Sequence, residues 1–111
     1  MKEIKAMIQP HMLQKVVDAL HELPNLPGMT ISDVRGFGRT GGQNGESDGR
    51  EVRYIRKAKL EIVVNDTDVE TVIAKIVEHA RTGNVGDGKI FVSTVDDVVR
   101  IRTGERGTSA L

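Results

Sequence analysis

The chain has 111 residues, a length that suits one domain with a modest core. Its 16 basic and 16 acidic residues give a formal net charge of +0, so the overall charge does not favour binding to nucleic acid or to an anionic membrane. The absence of cysteine excludes disulfides and thiolate metal sites and fits a reducing cytosol.

The start of the chain, "MKEIKAMIQP", lacks the apolar stretch of a secretory signal, and no apolar run approaches the roughly 20 residues that span a bilayer. We therefore expect a cytoplasmic protein. Residues 2–9 alternate apolar and polar side chains and predict a strand. Pro10 then opens a helix over 11–23, because a proline at the first turn does no harm. Its apolar residues recur at helical spacing and share one face: Leu13, Val16, Val17, Leu20 and Leu23.

Two prolines and a glycine in 24–28 end this helix, and 29–39 predicts a second strand. Residues 40–50 contain four glycines and no apolar anchor, so we expect an exposed, mobile loop there. The next strand, 51–65, places Leu60, Ile62 and Val64 on one face.

Residues 66–81 predict a second helix, with Asp66 as its cap. Its buried face is expected to comprise Val69, Val72, Ile73, Ile76, Val77 and Ala80. Strand 89–95 follows, and the remaining residues become polar, which indicates a loose end. The order βαββαβ predicts a single ferredoxin-like α+β domain over 1–111, with an antiparallel sheet and two helices on one face. A fold class alone does not identify a function.

The stretch "RTGNVGDGKIFV" (81–92) has the spacing of a phosphate-binding loop at Gly83, Gly88 and Lys89, but Ile90 replaces the Ser or Thr. The order here is helix, loop, strand, so the loop follows the negative end of a helix dipole, and the P-loop interpretation fails. Two interpretations stay open. The loop is a nest of backbone N–H groups that binds phosphate with Lys89, or Gly83 caps the helix before a turn.

Arg100 and Arg102 alternate around one residue in "RIRTGERG", so an extended segment would project both from the same face. Two adjacent guanidiniums repel each other unless an anion or a carboxylate binds them, and phosphate fits their geometry. The alternative is a pair of solvated arginines.

"VRGFGR" (34–39) resembles the start of an RNA-recognition signature, but the match then fails, and Phe37, Tyr54 and Phe91 are too few aromatics for a stacking platform. The three histidines show no spacing typical of metal ligands, and no catalytic nucleophile motif is present. An RNA-binding module and a small nucleotide hydrolase are therefore rival hypotheses with little support.

Together, "GMTISDVRGFGR", "TGNVGDGKIFV" and "VVRIRTGERG" resemble the PII nitrogen-regulatory signalling proteins in order and spacing, over nearly the whole chain. This resemblance implies a compact homotrimer that is not an enzyme. It implies ATP or ADP, with magnesium accompanying ATP, in the clefts between subunits. It also implies that a T-loop at about 40–53 docks on a target transporter or enzyme of nitrogen metabolism.

By this resemblance, residues 82–89 form the B-loop around the phosphates, and a C-terminal loop spans about 100–111. Arg100 and Arg102 reach the nucleotide from the neighbouring subunit. The implied nucleotide-binding residues are Thr30, Gly36, Phe37, Gly38, Arg39, Val63, Val64, Thr82, Gly86, Asp87, Gly88, Lys89, Arg100 and Arg102. Of these, Thr30, Val63 and Val64 fall where the adenine is held, and residues 36–39 form the cleft wall at the base of the T-loop.

The sequence departs from the family pattern near the implied effector pocket. Thr40 replaces a glutamine that helps to hold magnesium and 2-oxoglutarate, and Gln9 replaces a lysine. The tyrosine that some members uridylylate has Val52 as its nearest equivalent, whereas Lys57 stays where a lysine meets 2-oxoglutarate. Two versions of the function follow. One senses 2-oxoglutarate, and the other senses adenylate energy charge or bicarbonate without 2-oxoglutarate or uridylylation.

Overall fold

The computed structural model describes residues 1–37 and 54–111. Its strands are β1 (Lys2–Ile8), β2 (Met29–Gly36), β3 (Ile55–Val64) and β4 (Gly88–Thr94). Its helices are α1 (Leu13–His21) and α2 (Val69–Ala80). The four strands form one sheet in the order β2-β3-β1-β4, and every neighbouring pair is antiparallel. The predicted ferredoxin-like α+β fold is confirmed.

The core lies between one face of this sheet and the two helices. Alternation along the strands sends every second side chain inward, because successive side chains of a strand point to opposite faces. The strand register pairs Ile4 with Ile62 and with Val92, so inward residues of neighbouring strands meet. The fully buried side chains of the core are Ile4, Ala6, Val16, Leu20, Ala58, Leu60 and Val64.

The opposite face of the sheet, called here the open face, is covered by no element of the described chain. Its central strands carry charged residues at alternate positions, among them Lys5, Lys57, Lys59 and Glu61. The Lys59 ammonium lies 3.2 Å from the Glu61 carboxylate. Opposite charges thus partly neutralise each other along this face.

Both helices begin later than the sequence predicts, because a 3-10 turn precedes each one. These turns span Pro10–Met12 and Asp66–Asp68. Asp66 makes no capping hydrogen bond, so that prediction is wrong. Its carboxylate lies 2.9 Å from the amino group of Met1. A hydrogen bond from that amino group, together with its charge, holds the pKa of Asp66 below its usual value.

One of the two open interpretations and one prediction for the second half of the chain are also corrected. Helix α2 ends at Ala80 with Arg81 in extended conformation as its cap, so Gly83 does not cap the helix. The chain end is not loose, because Val99 bridges to Arg106 and a 3-10 turn over Gly107–Ala110 follows. That turn buries Ala110.

Strand β2 ends at Gly36 rather than at residue 39, and β3 begins at Ile55 rather than at residue 51. The predicted loop over 40–50 and the implied T-loop over 40–53 lie outside the described residues. Among the helices of residues 1–37 and 54–111, none is long and apolar enough to cross a membrane.

Candidate phosphate-binding loop

Residues 82–88 connect the end of α2 to the start of β4, and we call them the phosphate-binding loop after the role that the sequence predicts for them. Gly88 closes the loop directly opposite Ile8 of β1. Its backbone has φ +111°, and a Cβ atom at this position would lie 1.7 Å from the carbonyl oxygen of Met7. Because that neighbour is rigid backbone, only glycine allows β4 to pair with β1 this close to the loop.

The carboxylate of Asp87 holds the loop in shape. It accepts backbone hydrogen bonds from Thr82 N at 2.8 Å and Gly83 N at 2.9 Å, and a further one from the Thr82 hydroxyl. The side-chain amide of Gln9 donates to it from 3.4 Å. The Thr82 hydroxyl and then its backbone N–H, with smaller help from Gly83 and Gln9, hold the pKa of Asp87 below its usual value.

This arrangement refines the sequence interpretation of a backbone nest. Two N–H groups of the loop, those of Thr82 and Gly83, donate to the carboxylate of Asp87, so this carboxylate takes up donors that a nest would offer to an anion. Asp87 therefore shapes the loop, and a direct contact between Asp87 and phosphate would place two anions together. Its assignment to nucleotide binding stays a prediction.

Lys57 connects the sheet to the loop. The half-buried ammonium of Lys57 donates a hydrogen bond to the carbonyl oxygen of Gly86. Register explains the contact: Ile8 pairs with both Ala58 and Gly88, so the residues next along each strand meet at one end of the sheet. Those residues are Gln9, Lys57 and Asp87. The tertiary structure thus brings the implied effector residue Lys57 against the predicted phosphate-binding loop.

The residues implied at the adenine divide between two sides of the sheet. Thr30 is exposed on the open face and pairs in register with Glu61, two residues from Val63. Val63 is half-buried on the same face. Val64 points the other way and is fully buried in the core, so its side chain does not share a surface with Thr30.

The implied cleft wall is described only in part. Gly36 is the last residue of β2, where it pairs with Ile55, and Phe37 follows with 71% of its surface exposed. Gly38, Arg39 and Thr40 lie outside the described residues.

Arg100 is held by its own chain. Its guanidinium donates to the Glu105 carboxylate at 3.1 Å and to the carbonyl oxygens of Ser109 at 3.4 Å and Leu111 at 3.3 Å. The backbone folds back between them, since Gly104 N donates to Arg100 O at 2.7 Å.

The expected extended segment with both arginines on one face is therefore wrong. Residues 101–103 form a turn, and Arg102 is exposed with no ion pair among the described residues. Sequence reasoning missed Glu105. A carboxylate shortly after an arginine, with a glycine between them, was the available signal, because such a glycine lets the chain reverse.

No group of three His, Asp or Glu side chains within residues 1–37 and 54–111 could hold a metal ion. Lys57 and Lys89 are cations beside the loop, and they favour an anionic ligand.

The chain is thus a ferredoxin-like domain whose glycine-containing loop lies beside lysines. The family model described as "Nitrogen regulatory protein P-II" matches residues 1–105, and the chain belongs to this family.

Individual relatives agree with this assignment. "Nitrogen regulatory protein P-II 2" of Methanothermobacter thermautotrophicus is 53% identical over 113 aligned positions, which cover 100% of this chain and 97% of the relative. "Nitrogen regulatory protein P-II" of Nostoc punctiforme is 50% identical, with 100% of both chains covered. Among solved structures, that of Arabidopsis thaliana PII bound to citrate is similar with a TM-score of 0.81 and 44% identity, covering 99% of this chain and 91% of the other.

Proposed function

We propose that the chain is a signalling subunit, without catalytic activity of its own, that binds ATP or ADP between the subunits of a homotrimer. Nucleotide binding would then alter how segment 40–53 engages a target transporter or enzyme of nitrogen metabolism. The observation that carries the proposal is the phosphate-binding loop, shaped internally by Asp87 and flanked by lysines, in a chain of the P-II family. An action in the cytoplasm remains a prediction from the sequence.

Charge and geometry support an anion at this loop. Lys57 of β3 and Lys89 of β4 lie at the same end of the sheet, on the two strands that flank β1, and Lys89 follows the glycine that closes the loop. A lysine acts as a mobile point charge, so Lys89 can follow a phosphate group without a fixed geometry. The Arabidopsis relative is bound to citrate, an anion with several carboxylates, which agrees with an anionic ligand for this fold.

Lys57 indicates where a second effector would bind. Its ammonium is bound to the Gly86 carbonyl, so a small carboxylate that approaches Lys57 competes with or joins this contact. Such a ligand would shift the loop only by its different affinity for the two loop arrangements. We propose 2-oxoglutarate as this ligand and keep bicarbonate, or energy-charge sensing without a carboxylate, as the alternative.

Calorimetric titration with ATP, ADP and AMP tests the nucleotide proposal. Lys89→Met should weaken ATP binding more than AMP binding, because it removes a charge near the phosphates. Lys15→Met is the matched control, since Lys15 is an exposed lysine on α1. Absence of binding by all three nucleotides would refute the proposal. Sedimentation of the same sample measures the trimer.

A second titration separates the two versions. ATP with magnesium is titrated in the presence of 2-oxoglutarate, of bicarbonate, or of neither. An ATP affinity that rises only with 2-oxoglutarate supports nitrogen sensing. An ATP affinity that does not change with 2-oxoglutarate rejects that version and favours bicarbonate or energy-charge sensing.

A further inference from the structure

A groove along the outer edge of the sheet adjoins the phosphate-binding loop, but its apolar walls belong to no site described above. It has a volume of about 320 Å³ and lies between α2 and β4. Its apolar wall is formed by Ile73, Ile76 and Val77 of α2 and by Ile90 of β4. Val77 remains 45% exposed although its position on α2 matches the helical spacing of the core residues.

The size of the groove decides what class of ligand it suits. Binding pockets for small molecules start at about 300 Å³, and an apolar cavity of about 150 Å³ already holds a benzene ring. A groove of about 320 Å³ therefore accommodates an unbranched chain of several carbons.

The charges at one end of the groove determine which chemical group a ligand carries there. Arg81 and Lys89 line this end, both are exposed, and neither forms an ion pair among the described residues. Asp87 also lines it, but its carboxylate is occupied by the N–H and O–H groups of Thr82 and Gly83. The mouth of the groove is therefore cationic above an apolar floor.

We propose that this groove binds a small amphipathic carboxylate, an unbranched acyl chain with its carboxylate beside Arg81. The chain lies against the exposed side of α2, and the carboxylate meets the cationic mouth. Lys89 borders both this groove and the phosphate-binding loop, so occupancy places a carboxylate next to the proposed nucleotide site. Asp87, Gly88 and Lys89 border both sites, but the apolar walls do not depend on the proposed nucleotide function, because Ile73, Ile76, Val77 and Ile90 are not among its residues.

The test uses sodium hexanoate, octanoate and decanoate below their micelle concentrations, with octanol as the uncharged match. Binding is followed by the methyl resonances of Ile73 and Ile90 and by titration. Each added methylene should tighten binding by about fourfold, because burying one contributes about 0.8 kcal/mol. Arg81→Gln should weaken octanoate by up to about fivefold and leave octanol unchanged.

Matched variants distinguish the groove from the general surface. Val77→Gln should weaken octanoate and octanol together, whereas Val99→Gln, at a valine of similar exposure outside the groove, should leave both unchanged. Both sites are exposed, so both variants should fold. ATP titration of Val77→Gln should give the wild-type result, which separates failure of this inference from failure of the nucleotide proposal.

Three outcomes would overturn the proposal. The first is an affinity that does not grow with chain length. The second is an Arg81→Gln effect on octanol equal to that on octanoate. The third is a groove closed by a second copy of the chain, recognised when Ile73 and Ile90 methyls are insensitive to octanoate and Val77→Glu dissociates the assembly.

Discussion

Replacing Gly88 with alanine should destabilise the protein by about 3 kcal/mol or more. Two costs add at this position. A non-glycine residue at positive φ costs about 1–2 kcal/mol, and here φ is +111°. The new Cβ would also lie 1.7 Å from the Met7 carbonyl oxygen, so β4 must move away from β1 or the backbone must change conformation. Overpacking of this kind costs about 1–3 kcal/mol.

The assay is urea unfolding at fixed protein concentration, because the apparent stability of an oligomer depends on concentration. Gly28→Ala is the matched control, since a Cβ at Gly28 meets nothing within 4 Å and its backbone lies outside the positive-φ range. We expect the control within about 1 kcal/mol of wild type. A Gly88→Ala variant as stable as the Gly28→Ala variant would show that the close approach of β1 to the loop is wrong.

Two further predictions concern charged groups. Because the folded state lowers the pKa of Asp87 below 3.8, its stabilising contribution is full at neutral pH and declines as pH falls below about 4 towards the folded pKa. Asp87→Asn should therefore make the free energy of unfolding, measured by urea unfolding, depend less on pH below about 4. It should also weaken ATP binding severalfold, because the loop is loosened. An unchanged dependence on pH would contradict the role of Asp87. Glu105→Gln removes an ion pair whose side chains are 36% and 44% exposed. The free energy of unfolding, measured by thermal unfolding, should therefore change by no more than about 1 kcal/mol. Hydrogen exchange of residues 105–110 should nevertheless accelerate, because Arg100 loses the carboxylate that helps to hold this segment; unchanged exchange would argue against that contact.

Local patterns predicted the fold well, for reasons visible in single elements. The alternation of Ile4, Ala6 and Ile8 reports a strand with one buried face, and all three are buried. The spacing along α2 likewise predicted the buried Val72 and Ile76. Both patterns are properties of a short segment, since helix and strand periods are set by the backbone.

Boundaries and capping were predicted less well. Asp66 has the composition and position of a helix cap, yet it binds the amino group of Met1. The competing partner is distant in the chain, and no local pattern contains it. For the same reason the polar composition of the chain end predicted a loose segment, whereas Arg100 draws Glu105 and the backbone of Ser109 into a fixed arrangement.

Local sequence patterns are sufficient to predict the order of elements, most of the buried faces, the rejection of a P-loop and the resemblance to the P-II family. The way the phosphate-binding loop is built depends instead on contacts that form when the chain folds. Strand register places Gln9 beside Asp87, 78 residues away, and Lys57 beside Gly86, 29 residues away. The same register sets the Met7 carbonyl where Gly88 must pass. These contacts depend on pairing between distant strands, and that pairing is a property of the assembled sheet, not of any single segment.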